Sequence, residues 1–346
     1  MGTSLSKCRL GVPLGSVLVC LACGEPEVVR PPPVKTERCE LPTDGDPWRP
    51  IQIRTDAWDG VMVRLANGRL VCWGPSAACP TEEIARRPVL LDNVDCSTWT
   101  SISQVGGVSV TPDGAVLMWT YFGFPLKSTA NPNAAPWEVQ PVLGLPPIVR
   151  VEDGGGSLWA LDREGTAWYW GDVYAWSIQP DQPGSAPDLG QFQTIWGGGN
   201  VCGLRLDGSV SCFGGNGAGQ LGDGTLTPRE EAEPALVPPA RALWTHALGS
   251  CAATLDEELW CWGTPEIAGR GREVTQEESA TPAPVVGLPP VKTVSIGVWT
   301  ACAVTLENDL YCWGANPYRK FGFESPGFLV TPRLIDPAGK VEEVAV

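Results

Sequence analysis

Histidine is almost absent from this sequence. His246 is the only one, and outside the N-terminal Cys20-Leu21-Ala22-Cys23 no two cysteines stand in a C-x-x-C pair, so the usual ligands of a structural or catalytic zinc site are missing from the rest of the chain. With one histidine there is little material for a nucleophile, base and acid relay. Neither a G-x-S-x-G elbow nor a phosphate-binding glycine loop occurs. Charge is also scarce: charged residues make up 18% of the chain, and 39 acidic residues against 24 basic ones leave a net charge of −15. No basic stripe interrupts that excess, so a nucleic-acid backbone would meet net repulsion. Only 3 methionines are present, against 16 tryptophans, 41 glycines and 34 prolines. That balance favours strands and turns over helices.

Long apolar runs are missing as well. The one candidate, Leu10 to Ala22, follows Lys7 and Arg9, is broken by Pro13 and Gly15, and is too short to span a bilayer. It reads as an export signal covering residues 1–22. The stretch Val19-Cys20-Leu21-Ala22-Cys23-Gly24 resembles a bacterial lipobox, with small Ala22 directly before Cys23 and Cys20 where leucine is usual. The resemblance implies lipidation of Cys23, ordinary signal cleavage being the alternative. A proline-containing tether over residues 23–45 would then lead to the folded part, residues 46–346.

That part is built from a repeat. Six segments share a strand, a turn rich in Asp, Asn or Gly, and a second strand that in most copies ends in an aromatic followed by Gly. They are VMVRLANGRLVCWG (61–74), VSVTPDGAVLMWT (108–120), LWALDREGTAWYWG (158–171), VCGLRLDGSVSCFG (201–214), CAATLDEELWCWG (251–263) and ACAVTLENDLYCWG (301–314). The anchors Trp73, Trp119, Trp170, Phe213, Trp262 and Trp313 recur every 43 to 51 residues, a period that suits a propeller blade. Proline-rich stretches such as QPVLGLPPIVRVEDGG (140–155) and APVVGLPPVKTVSIG (283–297) add two further strands per period. The expected fold is an all-β propeller of four-stranded antiparallel blades, with six blades favoured. The C-terminal TPRLIDPAGKVEEVAV (331–346) would either close the ring against the first hairpin or begin a seventh blade. The aromatic anchors are expected to pack between blades.

The stretch CGLRLDGSVSCFGGNGAGQLGDGT (202–225) resembles the regulator-of-chromosome-condensation repeat, and Trp313-Gly314-Ala315-Asn316 with Lys320-Phe321-Gly322 is a degenerate copy. The resemblance extends over roughly residues 46–346 and implies the propeller fold. For function it implies protein binding: nucleotide exchange on a small GTPase and chromatin contact in some members, and inhibition of β-lactamases in a secreted type. An exported, acidic chain meets neither GTPase nor chromatin. The expectation is therefore a non-enzymatic, monomeric, protein-binding scaffold on the cell envelope, in the outer membrane, periplasm or outside. Inhibition of an extracellular enzyme is the alternative, and a glycan-acting enzyme a more distant one. No cofactor, metal or nucleic acid is expected, and the membrane is met only through the lipid on Cys23.

Cysteine spacing fits export. Cys202 and Cys212, Cys251 and Cys261, and Cys302 and Cys312 each stand ten positions apart. A three-residue turn such as Leu206-Asp207-Gly208 places each pair directly opposite across its hairpin, close enough for a disulfide. Reduced buried thiols are the alternative. Of 13 cysteines, removing Cys8 and Cys20 with the signal and acylating Cys23 leaves ten, so Cys39, Cys72, Cys79 and Cys96 would form two more bridges in an undetermined pairing.

Segments after each Trp-Gly step are expected to run from one blade to the next along one side of the propeller, and here they differ in length and are rich in aromatics. Tyr121, Phe122, Phe124 and Trp137 come from one, Tyr174 and Trp176 from the next, and Tyr318, Phe321 and Phe323 from the last. Tyr121, Phe122, Tyr174 and Trp176 lie in segments that lack the Gly-Gln-Leu-Gly turn and are the expected partner-binding residues, since clustered exposed aromatics dominate binding energy. Phe321 is expected to pack between blades.

Overall fold

The three cysteine-bearing hairpins close on the three-residue turn expected from their sequence. In the fourth repeat Arg205 N–H donates to Ser209 O (2.8 Å) and Gly208 N–H to Arg205 O (3.1 Å). Gly208 takes the left-handed backbone (φ 85°) that this turn needs in its third position. The register follows: Cys202 faces Cys212, Cys251 faces Cys261 and Cys302 faces Cys312. All three pairs are disulfide-bonded, with Cα atoms 4.1 to 4.2 Å apart. Bonds of this kind form and persist in oxidising compartments. Cys72 is buried and also disulfide-bonded, whereas Cys23, Cys39, Cys79 and Cys96 lie outside the described residues.

A computed structural model describes residues 50–55, 61–65, 69–74, 85–90, 99–103, 106–120, 139–153, 157–171, 183–186, 189–197, 199–316, 328–335, 341 and 344. In the unit Thr36–Val346 these residues form six four-stranded antiparallel sheets, each made of strands consecutive in the chain. The first blade comprises Pro50–Thr55, Val61–Leu65, Leu70–Gly74 and Ala85–Leu90, and the second Trp99–Ser103, Gly106–Val110, Val116–Thr120 and Gln140–Pro141. The third comprises Ile148–Asp153, Ser157–Asp162, Ala167–Gly171 and Gly184–Ser185, and the fourth Phe192–Trp196, Asn200–Arg205, Val210–Gly214 and Arg229–Pro234. The fifth is built of Ala240–His246, Gly249–Thr254, Leu259–Gly263 and Ala283–Pro284, and the sixth of Val291–Ile296, Thr300–Thr305, Leu310–Ala315 and Phe328–Ile335. First strands of successive blades approach one another. This is the six-bladed propeller expected from the repeat.

The core lies between blades. Cys202, Leu204, Val210 and Cys212 of the fourth blade share one buried cluster with Ala240, Leu243, Ala252 and Trp262 of the fifth. Cys251, Ala253 and Cys261 of the fifth do the same with Val294, Ala301, Ala303 and Trp313 of the sixth. Anchors Trp119, Trp170, Phe213, Trp262 and Trp313 are all buried, as expected of inter-blade packing. Two of them also carry a hydrogen bond to the preceding blade: Trp262 Nε1 donates to Gln220 O and Trp313 Nε1 to Ile267 O, both at 2.9 Å. Inner strands are joined in the same way, Trp196 Nε1 donating to Leu243 O (2.9 Å).

The C-terminal stretch resolves into two parts. Its first residues complete Phe328–Ile335, the outer strand of the sixth blade. Beyond it, Val341 N–H donates to Asn308 O (3.0 Å). Ile148, Phe192 and Ala240 make the same bond, to Gly114, Gly165 and Gly208, where the chain enters the next blade. Val344 then packs with Cys302 and Cys312. Val341 and Val344 thus repeat the apolar spacing of Val291 and Val294 and enter the position that follows the sixth blade.

Replacing Trp262 by Ala removes a fully buried indole and its interblade bond, and should lower stability by about 3–5 kcal/mol, read from urea unfolding. Trp299→Ala, on an exposed loop residue, should stay within about 0.5 kcal/mol. Peptide mass mapping without reduction should recover Cys202–Cys212, Cys251–Cys261 and Cys302–Cys312 as linked pairs.

Candidate partner-binding faces

The two faces of the propeller are built from different connections. Links from first to second strand and from third to fourth strand emerge together, because the third strand's exit bonds to the inner loop. Gly215 N–H donates to Gly199 O (2.8 Å), Thr264 N–H to Leu248 O (2.9 Å) and Ala315 N–H to Trp299 O (2.8 Å). We call this the loop face; the segments that follow the Trp-Gly steps lie here, but they join the third strand to the fourth within one blade rather than one blade to the next. Hairpin turns and the prolines that lead into the next blade occupy the opposite, turn face.

On the loop face, the Gly-Gln-Leu-Gly segment of the fourth blade is consumed by structure. Buried Asn216 accepts from Leu221 N–H (3.0 Å) and donates to the carbonyls of Thr225 and Thr227 (both 3.0 Å). Gln220 accepts from Ala218 N–H (2.9 Å) and donates to Ala247 O of the next blade (3.1 Å). Gly222, at φ 66°, lies under the Trp262 ring, where a Cβ would fall 2.6 Å from Nε1. Burial would raise the Asp223 carboxyl, but bonds from the Thr225 amide and hydroxyl, with Arg229 at 3.0 Å, hold it below the usual range. In the fifth blade the corresponding segment forms two short helices, Pro265–Ala268 and Gln276–Ser279, the second closed by a capping box between Thr275 and Glu278. Gln276 Nε2 reaches back to Ala218 O (2.6 Å), binding this segment to that of the fourth blade.

Tyr121, Phe122, Tyr174 and Trp176 lie outside the described residues, as do Phe124, Trp137, Tyr318, Phe321 and Phe323. The strands that precede the first four end at Thr120 and Gly171, on the loop face. That face also carries a residue the sequence did not single out: Trp299, 54% exposed beside exposed Val298. Corresponding loops hold Gly199 in the fourth blade and Leu248 in the fifth, and this substitution in an otherwise repeated loop is the available signal.

His246 ends the inner strand of the fifth blade. Its Nδ1 is buried without a hydrogen-bond partner among the described residues, so no acid orients it as a general base there. Among the described residues no three of His, Cys, Asp or Glu converge to hold a metal ion, and no helix is long and apolar enough to cross a membrane.

Residues 291–319 match the model of the regulator of chromosome condensation (RCC1) repeat. Over 154 residues, 41% of this chain, the sequence is 28% identical to human E3 ubiquitin-protein ligase HERC2, and it spans 3% of that protein's length. The fold superposes on human WBSCR16 with a TM-score of 0.71 at 16% identity, covering 85% of this chain and 84% of the other. Yeast RCC1 (Prp20), in its complex with Kap60, gives 0.70 at 15% identity over 84% and 75%.

Burial lowers the pKa of His246 below its ordinary value. The unfolded chain therefore binds the proton first as pH falls, and stability contributed by the neutral imidazole is complete above about pH 6.5 and is lost below it. Unfolding free energy measured from pH 8 to pH 5 should decline more steeply in the wild type than in His246→Gln.

Proposed function

We propose that this RCC1-like propeller is a non-enzymatic, protein-binding scaffold, exported and anchored to the bacterial envelope through a lipid on Cys23, with its partner seated on the loop face. Trp299 carries the binding reading. A tryptophan left half in water on a loop tied by the Gly297–Thr300 and Ala315–Trp299 backbone bonds offers a large contact area. Tyr121, Phe122, Tyr174 and Trp176 belong to the same surface in this proposal. Of the repeat-motif residues, Asn216 folds its own loop and Gln220, Gly222 and Trp262 join that loop to the next blade, which leaves the variable segments to select a partner. Yeast RCC1 is described in complex with Kap60, and Prp20p with binding to Gsp1p and histones; protein contact by propellers of this fold supports the class of function proposed. Three disulfides support an oxidising compartment and hence export.

The test is capture from the native envelope with the full-length protein. Changing Tyr121, Phe122, Tyr174, Trp176 and Trp299 together to Ser should abolish capture and leave thermal melting unchanged; a large fall in melting temperature would assign the residues to the core instead. If the captured protein is an enzyme whose turnover falls on binding, the scaffold is an inhibitor. Metabolic labelling with a palmitate analogue should tag the wild type and not Cys23→Ser, whereas an unlabelled wild type would indicate ordinary signal cleavage.

A further inference from the structure

The turn face carries a separate pattern, confined to three consecutive blades. Hairpins of the fourth, fifth and sixth blades turn through Leu206-Asp207-Gly208, Leu255-Asp256-Glu257 and Leu306-Glu307-Asn308, with the third residue left-handed in each (φ 85°, 64° and 61°). The leading leucines are 62%, 64% and 54% exposed. The turn does not require them. At the same position the second blade has Pro112 and the third Arg163, both exposed, and Gly114 and Gly165 close those turns with the same backbone. Three large aliphatic side chains are therefore held in water where the fold would accept other residues.

They are connected through the backbone. Ala240 N–H donates to Gly208 O (2.8 Å), and Leu255 N–H donates to the carbonyl of the adjoining Pro239 (3.0 Å). Arg241 of the same strand reaches Val291 O (2.7 Å), and Leu306 N–H donates to Pro290 O (3.0 Å). Turns and proline connectors thus form one continuous strip across the three blades. Beside each leucine stands an exposed carboxylate, Asp207, Asp256 or Glu307, with Glu257 and Glu258 next to the second. Of the cations here, Arg205 lies near Asp207 but donates to Ser211 Oγ (2.9 Å) and stacks over Phe192, Arg241 is occupied by Val291 O, and Lys292 Nζ lies 3.4 Å from Asn308 Oδ1.

We propose that this strip binds a cationic polypeptide segment that carries aliphatic side chains. The leucines would seat its apolar side chains, and the carboxylates would pair with its Lys or Arg residues. Charge selects the occupant: an anionic bilayer or a nucleic acid would be repelled both by these carboxylates and by the chain's net charge of −15. The inference rests on the scaffold reading only in taking the partner to be a protein, and it uses the face opposite to Trp299.

Fluorescence anisotropy with the full-length protein tests it, using a labelled amphipathic Leu/Lys peptide with leucines at helical spacing, and counterparts in which Ser replaces Leu or Glu replaces Lys. The Leu/Lys peptide should bind at least about 10-fold more tightly than either counterpart. Leu206→Ser/Leu255→Ser/Leu306→Ser should weaken it by a similar factor with melting unchanged. Asp207→Asn/Asp256→Asn/Glu307→Gln should weaken it several-fold and flatten its salt dependence, while Glu230→Gln/Glu231→Gln/Glu233→Gln, elsewhere on the fourth blade, should not. Equal binding of the Ser counterpart, indifference to the leucine variant, or no binding at all would overturn the proposal. The loop-face Ser variant separates the two readings. It should retain peptide binding while losing envelope capture, and loss of peptide binding in it would place the peptide on the other face and sink this inference alone.

Discussion

A four-stranded antiparallel sheet with two apolar faces cannot be satisfied by water on either side, so every blade depends on its neighbour, and the contact that sets their distance is the aromatic at the end of the third strand. Trp262 and Trp313 show why tryptophan suits that place. Each fills the gap between blades completely and still finds a carbonyl of the preceding blade for its N–H, so a large apolar area is buried without orphaning a donor. In the fourth blade Phe213 has no such donor to satisfy. It meets Trp159 of the third blade edge to face, with ring centroids 5.7 Å apart. The size of the side chain is thus the common requirement, and the hydrogen bond is added where a loop carbonyl comes within reach.

That dependence explains what was legible in the sequence. Inter-blade packing repeats, so it leaves a periodic trace: Trp119, Trp170, Phe213, Trp262 and Trp313 could be placed from spacing alone. The hairpin register was equally accessible, because a three-residue turn with a left-handed third residue has one alignment, and that alignment sets Cys202 on Cys212. Non-repeating features were not accessible. Pro265–Ala268 and Gln276–Ser279 are each a single helical turn, too short for a 3.6-residue pattern, although the capping-box spacing of Thr275 and Glu278 was there to be read. Trp299 looked like one more aromatic in a chain full of buried ones, since its exposure depends on the loop geometry that only the Ala315–Trp299 bond reveals. His246 could have pointed either way until the structure buried its Nδ1.

The same logic limits what the repeat motif says about function. Asn216, Gln220 and Gly222 are the residues that carry the family resemblance most strongly, and each is engaged in folding its own loop or joining it to the next blade. Whatever discriminates partners must come from positions where the repeat tolerates differences. Two kinds of such position exist here. Loop-face segments differ in length, and those of the fourth and fifth blades differ in local structure as well; turn-face residues of the second to sixth blades differ only in side chain, on a backbone that repeats from blade to blade.

This difference has an energetic consequence for the turn face. A side chain on a variable loop must be ordered when a partner binds, at a cost of about 0.5–1.5 kcal/mol for each one immobilised, in addition to any ordering of the loop itself. Leu206, Leu255 and Leu306 sit at the tips of hairpins that are already closed by their turn bonds and tied to the neighbouring proline connectors. The three disulfides lie in these same hairpins, the first cysteine of each standing four residues before the leucine that begins the turn, as Cys202 does before Leu206. A bridge closing so short a loop contributes at most roughly 3 kcal/mol to folding, a modest return in a propeller whose blades are already packed on both sides. Its larger local effect is to prevent the two strands from separating at the tip. The blades that expose leucine are therefore the blades whose hairpins are covalently closed, and a partner meeting that strip would find its apolar contacts arranged before it arrives.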